Sequence, residues 1–129
     1  NSIITCKMDI TPLIPQGRQL IQSYGAGGFT VSNVDIKGAA LILPEQAYPL
    51  PQEELALMDA AALAPLRDAG VELLLVGCGK TMQAVPLEMR NYCRSIGVAM
   101  EPMDTGAACR TYNVLMAEDR KVAALLMPV

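Results

Sequence analysis

A chain of 129 residues with 52% hydrophobic and 18% charged content has enough apolar side chain for a buried core and too few charges for a disordered tail. Ten basic residues against thirteen acidic ones give a net charge of −3 with no basic run, which argues against a nucleic-acid-binding face. No apolar run nears the roughly 20 residues needed to span a bilayer, and the mean hydropathy of +0.30 suits a compact fold.

Histidine is absent, so Ser-His-Asp and Cys-His nucleophilic machinery is excluded. Cys6, Cys78, Cys93 and Cys109 form no CxxC pair, and the usual zinc spacings fail. Neither a metal nor a cofactor is expected. The first residues lack the basic and apolar regions of a secretory signal, and also an Arg-rich transit pattern. With isolated cysteines, this points to reduced thiols and a cytoplasmic setting.

In chain order, residues 1–18 carry three turn signals (Thr11-Pro12, Ile14-Pro15, Gln16-Gly17) and read as an extended arm. Partial alternation over 19–24 predicts a strand, ended by the cluster Gly25-Ala26-Gly27-Gly28. That cluster is either a hairpin turn with a bulge or a ligand loop. Residues 29–31 begin a second strand, Ser32-Asn33 supply a turn, and 36–43 read as a third strand stopped by Pro44. The proline-rich stretch 44–51 is a connector with a short edge strand around 47–50. Leu55, Met58, Ala62, Leu66 and Ala69 recur at helical spacing, so part of 53–70 is expected to be an amphipathic helix. Pro65 predicts a kink there or a later start capped by Asp59, with Gly70 at the end.

Residues 71–81, VELLLVGCGKT, organise the rest. The apolar run predicts a strand buried on both faces at the centre of a sheet. Gly77 and Gly79 permit a sharp turn, and Lys80-Thr81 lead towards a helix, the layout on which α/β proteins hold small anions. A phosphate loop is excluded, because the required first glycine would fall at Leu74. A generic anion site of backbone amides plus Lys80 stays open beside a plain tight turn with a solvated lysine. Cys78 reads as a small packed side chain, with a reactive thiol as the alternative. Val85, Met89, Tyr92, Cys93 and Ile96 form one face of a helix closed by Gly97. A strand at 98–100, a helix at about 106–117 and a buried strand at 122–127 complete the chain. Asp104 or Thr105 is expected to cap the third helix.

The predicted fold is therefore one three-layer α/β domain over 1–129, with an N-terminal β-meander and an alternating helix/strand half around a mixed sheet. If the strands before them are parallel, the loops at 77–81 and 103–106 share the carboxyl edge. The candidate binding residues there are Gly77, Gly79, Lys80, Thr81, Asp104, Thr105, Thr111 and Asn113, with Arg110 beside them. No catalytic set is complete.

Several stretches resemble a small bacterial and archaeal family of unknown biochemical activity that includes the mitochondrial NADH:ubiquinone oxidoreductase (complex I) assembly factor 3. They are Ser23-Tyr24 through Gly28-Phe29-Thr30-Val31, then 73–79, then Asp104-Thr105 with Ala108 and Thr111-Tyr112-Asn113, and the strand at 123–128. Cys78 stands where the family usually has threonine. The resemblance implies a three-layer fold and a non-enzymatic role in assembling a respiratory complex. Its implied partners are respiratory-complex subunits or another assembly factor, with at most peripheral membrane association. The other reading is a small-anion or nucleotide-binding enzyme using Lys80, Asp104, Thr105 and Asn113. A structural subunit forming a homo-oligomer is a third.

Overall fold

The computed structural model describes residues 5–7 and 17–129. The expected arm lies outside the described residues apart from a short strand, β1 (Thr5–Lys7), and residues 17 and 18. With β2 (Ile21–Gly25), β3 (Gly28–Val31) and β4 (Val34–Lys37), β1 builds a four-stranded antiparallel meander in chain order. Each tight hairpin has two loop residues at positive φ: Ala26 at 54° and Gly27 at 79°, then Ser32 at 49° and Asn33 at 70°. These are type I′ turns, whose twist matches that of the paired strands. The glycine cluster thus makes a hairpin, and the irregular register sits between Ile21 and Ser23, away from the turn.

The single strand expected over 36–43 is two strands in two sheets. Gly38, at φ +81°, carries the chain from β4 into β5 (Ala39–Ile42), a backbone turn that a residue with a Cβ rarely adopts. β6 (Ala47–Leu50) returns beside β5 as the expected edge strand. The amphipathic pattern over 53–70 forms two 3₁₀ segments, Leu55–Leu57 and Ala60–Asp68, in place of an α-helix. Pro65 lies inside the second, where its missing N–H interrupts an i→i−4 ladder. The Ala61 amide donates to the Asp59 carboxylate at 3.0 Å, so Asp59 does cap this segment, and Gly70 follows its end at φ +71°.

β7 (Leu73–Gly77), α1 (Leu87–Ser95), β8 (Ala99–Met103), α2 (Thr105–Ala117) and β9 (Val122–Leu126) alternate as expected. The second sheet has the order β6-β5-β9-β7-β8, with β7 parallel to both neighbours and β5 antiparallel to both of its own. The middle place belongs to β9 and not to β7. Both runs are apolar throughout, so composition did not separate them. The chain leaves β7 for β8 on one side and leaves β8 for β9 on the other. Right-handed crossovers then put α1 and α2 on opposite faces.

Two cores result, one on each face of the mixed sheet. Leu41, Leu74, Val76, Ala123 and Leu125 pack with the 3₁₀ segments and with Met89 and Cys93 of α1. On the other face, Leu75, Ala124 and Leu126 pack with Ala108, Tyr112 and Met116 of α2 and with Phe29, Val31 and Ile36 of the meander. The mixed sheet is thus the middle of three layers.

Candidate functional site

Because β7, β8 and β9 are parallel, Gly77, Met103 and Leu126 end side by side at one edge. The loops leaving β7 and β8 run to opposite faces, which makes this a topological switch point, the place where open α/β sheets take ligands. Here the two loops are laced together. The Cys78 amide donates to the Met103 carbonyl at 2.8 Å, and the Thr105 amide donates to the Gly79 carbonyl at 2.8 Å. The Gly79 amide donates to Thr105 Oγ1 at 2.9 Å, and that hydroxyl donates to the Met127 carbonyl at 2.8 Å. Thr105, with no solvent exposure, joins the ends of all three parallel strands.

Glycine is needed where the backbones touch. A Cβ on Gly77 would stand 2.9 Å from Thr105 Cα and 3.0 Å from a Leu126 methyl. A Cβ on Gly106 would stand 2.8 Å from the Tyr24 hydroxyl, which takes a hydrogen bond from Arg110 Nη1 at 3.1 Å. The β2–β3 hairpin reaches the same edge, since the Gly27 amide donates to the Val129 carbonyl at 2.9 Å.

The remaining predicted residues divide. Asp104 caps α2, accepting from the Ala107 amide at 2.8 Å. Lys80 and Thr81 are exposed on the outer side of the loop, and α1 does not start there: residues 82–86 intervene. The glycine turn does not run directly into the helix, and the first amides of α1 lie beyond that loop. Asn113 is two helical turns further along α2, about 12 Å from Thr105 at 1.5 Å per residue. Its side chain accepts from the Ile21 amide at 3.1 Å and donates to the Ile21 carbonyl at 2.8 Å, clamping β2 onto the helix. Thr111 is half-buried on the same helix. The structure therefore brings together Gly77, Gly79, Asp104 and Thr105 and leaves Asn113 apart.

Sequence reasoning missed Tyr24 and its seat on Gly106, for which a glycine in the first turn of a helix was the available signal. It also missed Met82 and Leu87, apolar side chains 65% and 68% exposed on the loop and at the first turn of α1. Among the described residues, no three Cys, Asp or Glu side chains stand close enough to share a metal ion. The Cys78 thiol is buried, with the Val76 and Gln83 carbonyls at 3.7 and 3.5 Å. Burial raises the Cys93 thiol pKa and pushes the Tyr112 hydroxyl well above its ordinary value, partly offset by Arg18. Neither belongs to the two loops. A cavity of about 530 Å³ opens at the opposite, amino end of the parallel strands, bordered by Arg18, Leu43, Tyr48, Asp68 and Lys121.

The sequence pattern of a protein family of unknown function, DUF498/DUF598, matches residues 21–127. The chain belongs to that family. An uncharacterized protein of Rhodobacter capsulatus is 38% identical over 109 residues, covering 84% of each chain. Human NADH dehydrogenase [ubiquinone] 1 alpha subcomplex assembly factor 3 is 28% identical over 110 residues, which is 84% of this chain and 60% of the human protein. The chain thus spans about three-fifths of the length of that relative. Among solved structures, one described as an outer membrane protein from Bartonella henselae superposes with a TM-score of 0.78 at 36% identity, covering 88% of this chain and 97% of its own. A Bordetella pertussis protein described as a Mth938-like domain gives 0.76 at 28% identity, covering 95% and 92%. The family resemblance and the mixed α/β fold expected from sequence both hold, and relatives over most of the chain are complex I assembly factors.

Proposed function

We propose that this family member is a non-enzymatic accessory protein that helps assemble a respiratory complex by binding a protein partner, a respiratory-complex subunit or a second assembly factor. The observation that carries the reading is the laced carboxyl edge. The amides of Cys78 and Gly79 and the Thr105 hydroxyl all have partners inside the protein. Polar groups satisfied in this way stiffen a surface rather than meet a substrate. The similarity to an assembly factor over 84% of the chain supports the same reading.

Met82 and Leu87 give that surface an exposed apolar element, the kind of contact that partners cover. A cytoplasmic setting, with at most peripheral contact with a membrane, goes with this reading. The thiols of Cys78 and Cys93 are buried and free, and no helix among the described residues is long and apolar enough to cross a membrane. The single domain over 1–129 belongs to the same proposal.

Affinity capture from a native lysate, read by mass spectrometry, tests the function. Wild type is expected to retain respiratory-complex subunits or assembly proteins, and Met82→Asp with Leu87→Asp to lose them while staying folded. A companion Lys80→Ala, Asp104→Ala variant is expected to keep them. Absence of any such partner, with a phosphorylated metabolite co-purifying with wild type and not with the companion variant, would replace this reading with an anion-binding enzyme using the 77–81 and 103–113 loops.

A further inference from the structure

The two sheets treat their edges differently. Between β5 and β6, the Leu43 amide donates to the Gln46 carbonyl at 2.7 Å, which makes 43/46, 41/48 and 39/50 the hydrogen-bonded pairs. Pro49 consequently faces outwards, where it offers no N–H. In β8, the Ala99 amide donates to Glu72 at 3.0 Å and the Met103 carbonyl accepts from Cys78. Residues 99, 101 and 103 therefore face β7, and Pro102 faces outwards. Both edges of the mixed sheet are blunted against a further strand.

β4 has no such block. The two-residue turn at Ser32-Asn33 makes Val31/Val34 and Phe29/Ile36 the hydrogen-bonded pairs, and the bond from the Gly38 amide to Gly27 at 2.8 Å continues the alternation. The backbone N–H and C=O groups of Asp35 and Lys37 thus point away from β3. Among the described residues nothing pairs with them. Their side chains are exposed on either side of the buried Ile36, and Val34, 61% exposed, lies on the Ile36 face.

We propose that β4 docks a second copy of this chain as an antiparallel β4–β4 pair about a two-fold axis at Ile36. The inference is independent of the assembly role. Outward-facing residues must meet outward-facing residues to exchange N–H and C=O bonds, so the axis passes through residue 35, 36 or 37. An axis at 35 sets aspartate against aspartate, and one at 37 sets lysine against lysine. The axis at Ile36 sets Asp35 opposite Lys37 of the second copy, twice by symmetry. Opposite charges across strands stabilise the pair and like charges destabilise it, so one register is selected. The Thr30 hydroxyl holds one Asp35 carboxylate oxygen at 2.8 Å, leaving the other for the lysine. Ile36 meets its own copy across the axis, and the exposed Val34 comes opposite Gly38 of the second chain.

Sedimentation equilibrium on the full chain, with amide hydrogen exchange at low and high protein concentration, tests this. A monomer–dimer equilibrium is expected below about 1 mM, the weak end of specific association, with the Asp35 and Lys37 amides gaining protection as dimer forms. Asp35→Lys or Lys37→Asp alone makes both contacts like-charged and should weaken association about tenfold; the two together restore it. Restoration in the double variant shows that the single variants lost pairing and not folding. A protein that stays monomeric up to about 1 mM, a dimer indifferent to the single reversals, or concentration-dependent protection confined to other elements overturns the proposal. Protection of these two amides by a different protein, with this chain monomeric, overturns it as well.

Discussion

The meander and the mixed sheet are built from strands of similar length but are held by different forces. Every residue of β5 and β9 is buried, because the mixed sheet has a core on each face. The strands of the meander alternate, with Phe29, Val31 and Ile36 inward and Thr30, Asp35 and Lys37 outward. Two type I′ turns set its register, whereas the mixed sheet is set by packing and by the lacing around Thr105. One region thus has a core on both faces and edges blunted by prolines, and the other, among the described residues, leaves the edge of β4 in contact with solvent. Stability resides in the first and accessible backbone in the second.

Core truncations should show the largest contrast. Leu125→Ala in β9 removes a side chain with no exposure and should cost about 2–5 kcal/mol in urea unfolding, while Val34→Ala on β4 should stay within about 0.5 kcal/mol. Equal losses would mean that the meander carries as much of the fold as the mixed sheet. Thr105→Val tests the lacing. It leaves the Gly79 amide and the Met127 carbonyl without their buried partner and should cost about 1–3 kcal/mol, with Thr105→Ser close to wild type.

Tyr112 joins the two regions, since its hydroxyl lies 3.3 Å from the carbonyls of Gln19 and Leu43. Its pKa is raised in the folded state by burial, so the stability linked to it is fully present below the unfolded value, about 10, and is lost as pH rises above that. Tyr112→Phe should cost about 1 kcal/mol near neutral pH and flatten the alkaline limb of a stability–pH curve. A limb unchanged by the substitution would assign alkaline unfolding to other groups. The smallest effect belongs to the meander's own turn. Ala26, at φ 54°, pays the steric cost of the left-handed region, and Ala26→Asn creates the favoured Asn-Gly pair. A gain of about 0.5–1 kcal/mol is expected in urea unfolding, and no gain would mean that the β2–β3 turn is set by its contact with Val129.

Much of the alternating half was readable, because a helix such as α1 or α2 announces itself by spacing and by caps that act within a few residues. Asp104, Asp59, Gly70 and Gly97 all mark ends where expected. The break at Gly38 was hidden, since an apolar run on both sides of a glycine reads as one strand until two sheets compete for its halves. The 3₁₀ segments were hidden in the same way: spacing records which residues turn inward, and Pro65 with tertiary packing decides the tightness of the helix. At the candidate site, the meeting of the 77–81 and 103–106 loops followed from parallel strands. The placement of Asn113 did not, because a buried amide facing a strand edge has no local signature.

The sequence by itself determined the elements of the alternating half, the absence of histidine chemistry, and an alternation that requires an α/β layering, since these depend on residues close along the chain. Tertiary structure alone decided that β9 takes the middle of the sheet, that Thr105 bonds to residues 26 and 22 positions away, and that prolines blunt two sheet edges while β4 stays open. Those outcomes rest on which strands pair and in what register, and pairing energy is shared between segments that carry no record of one another.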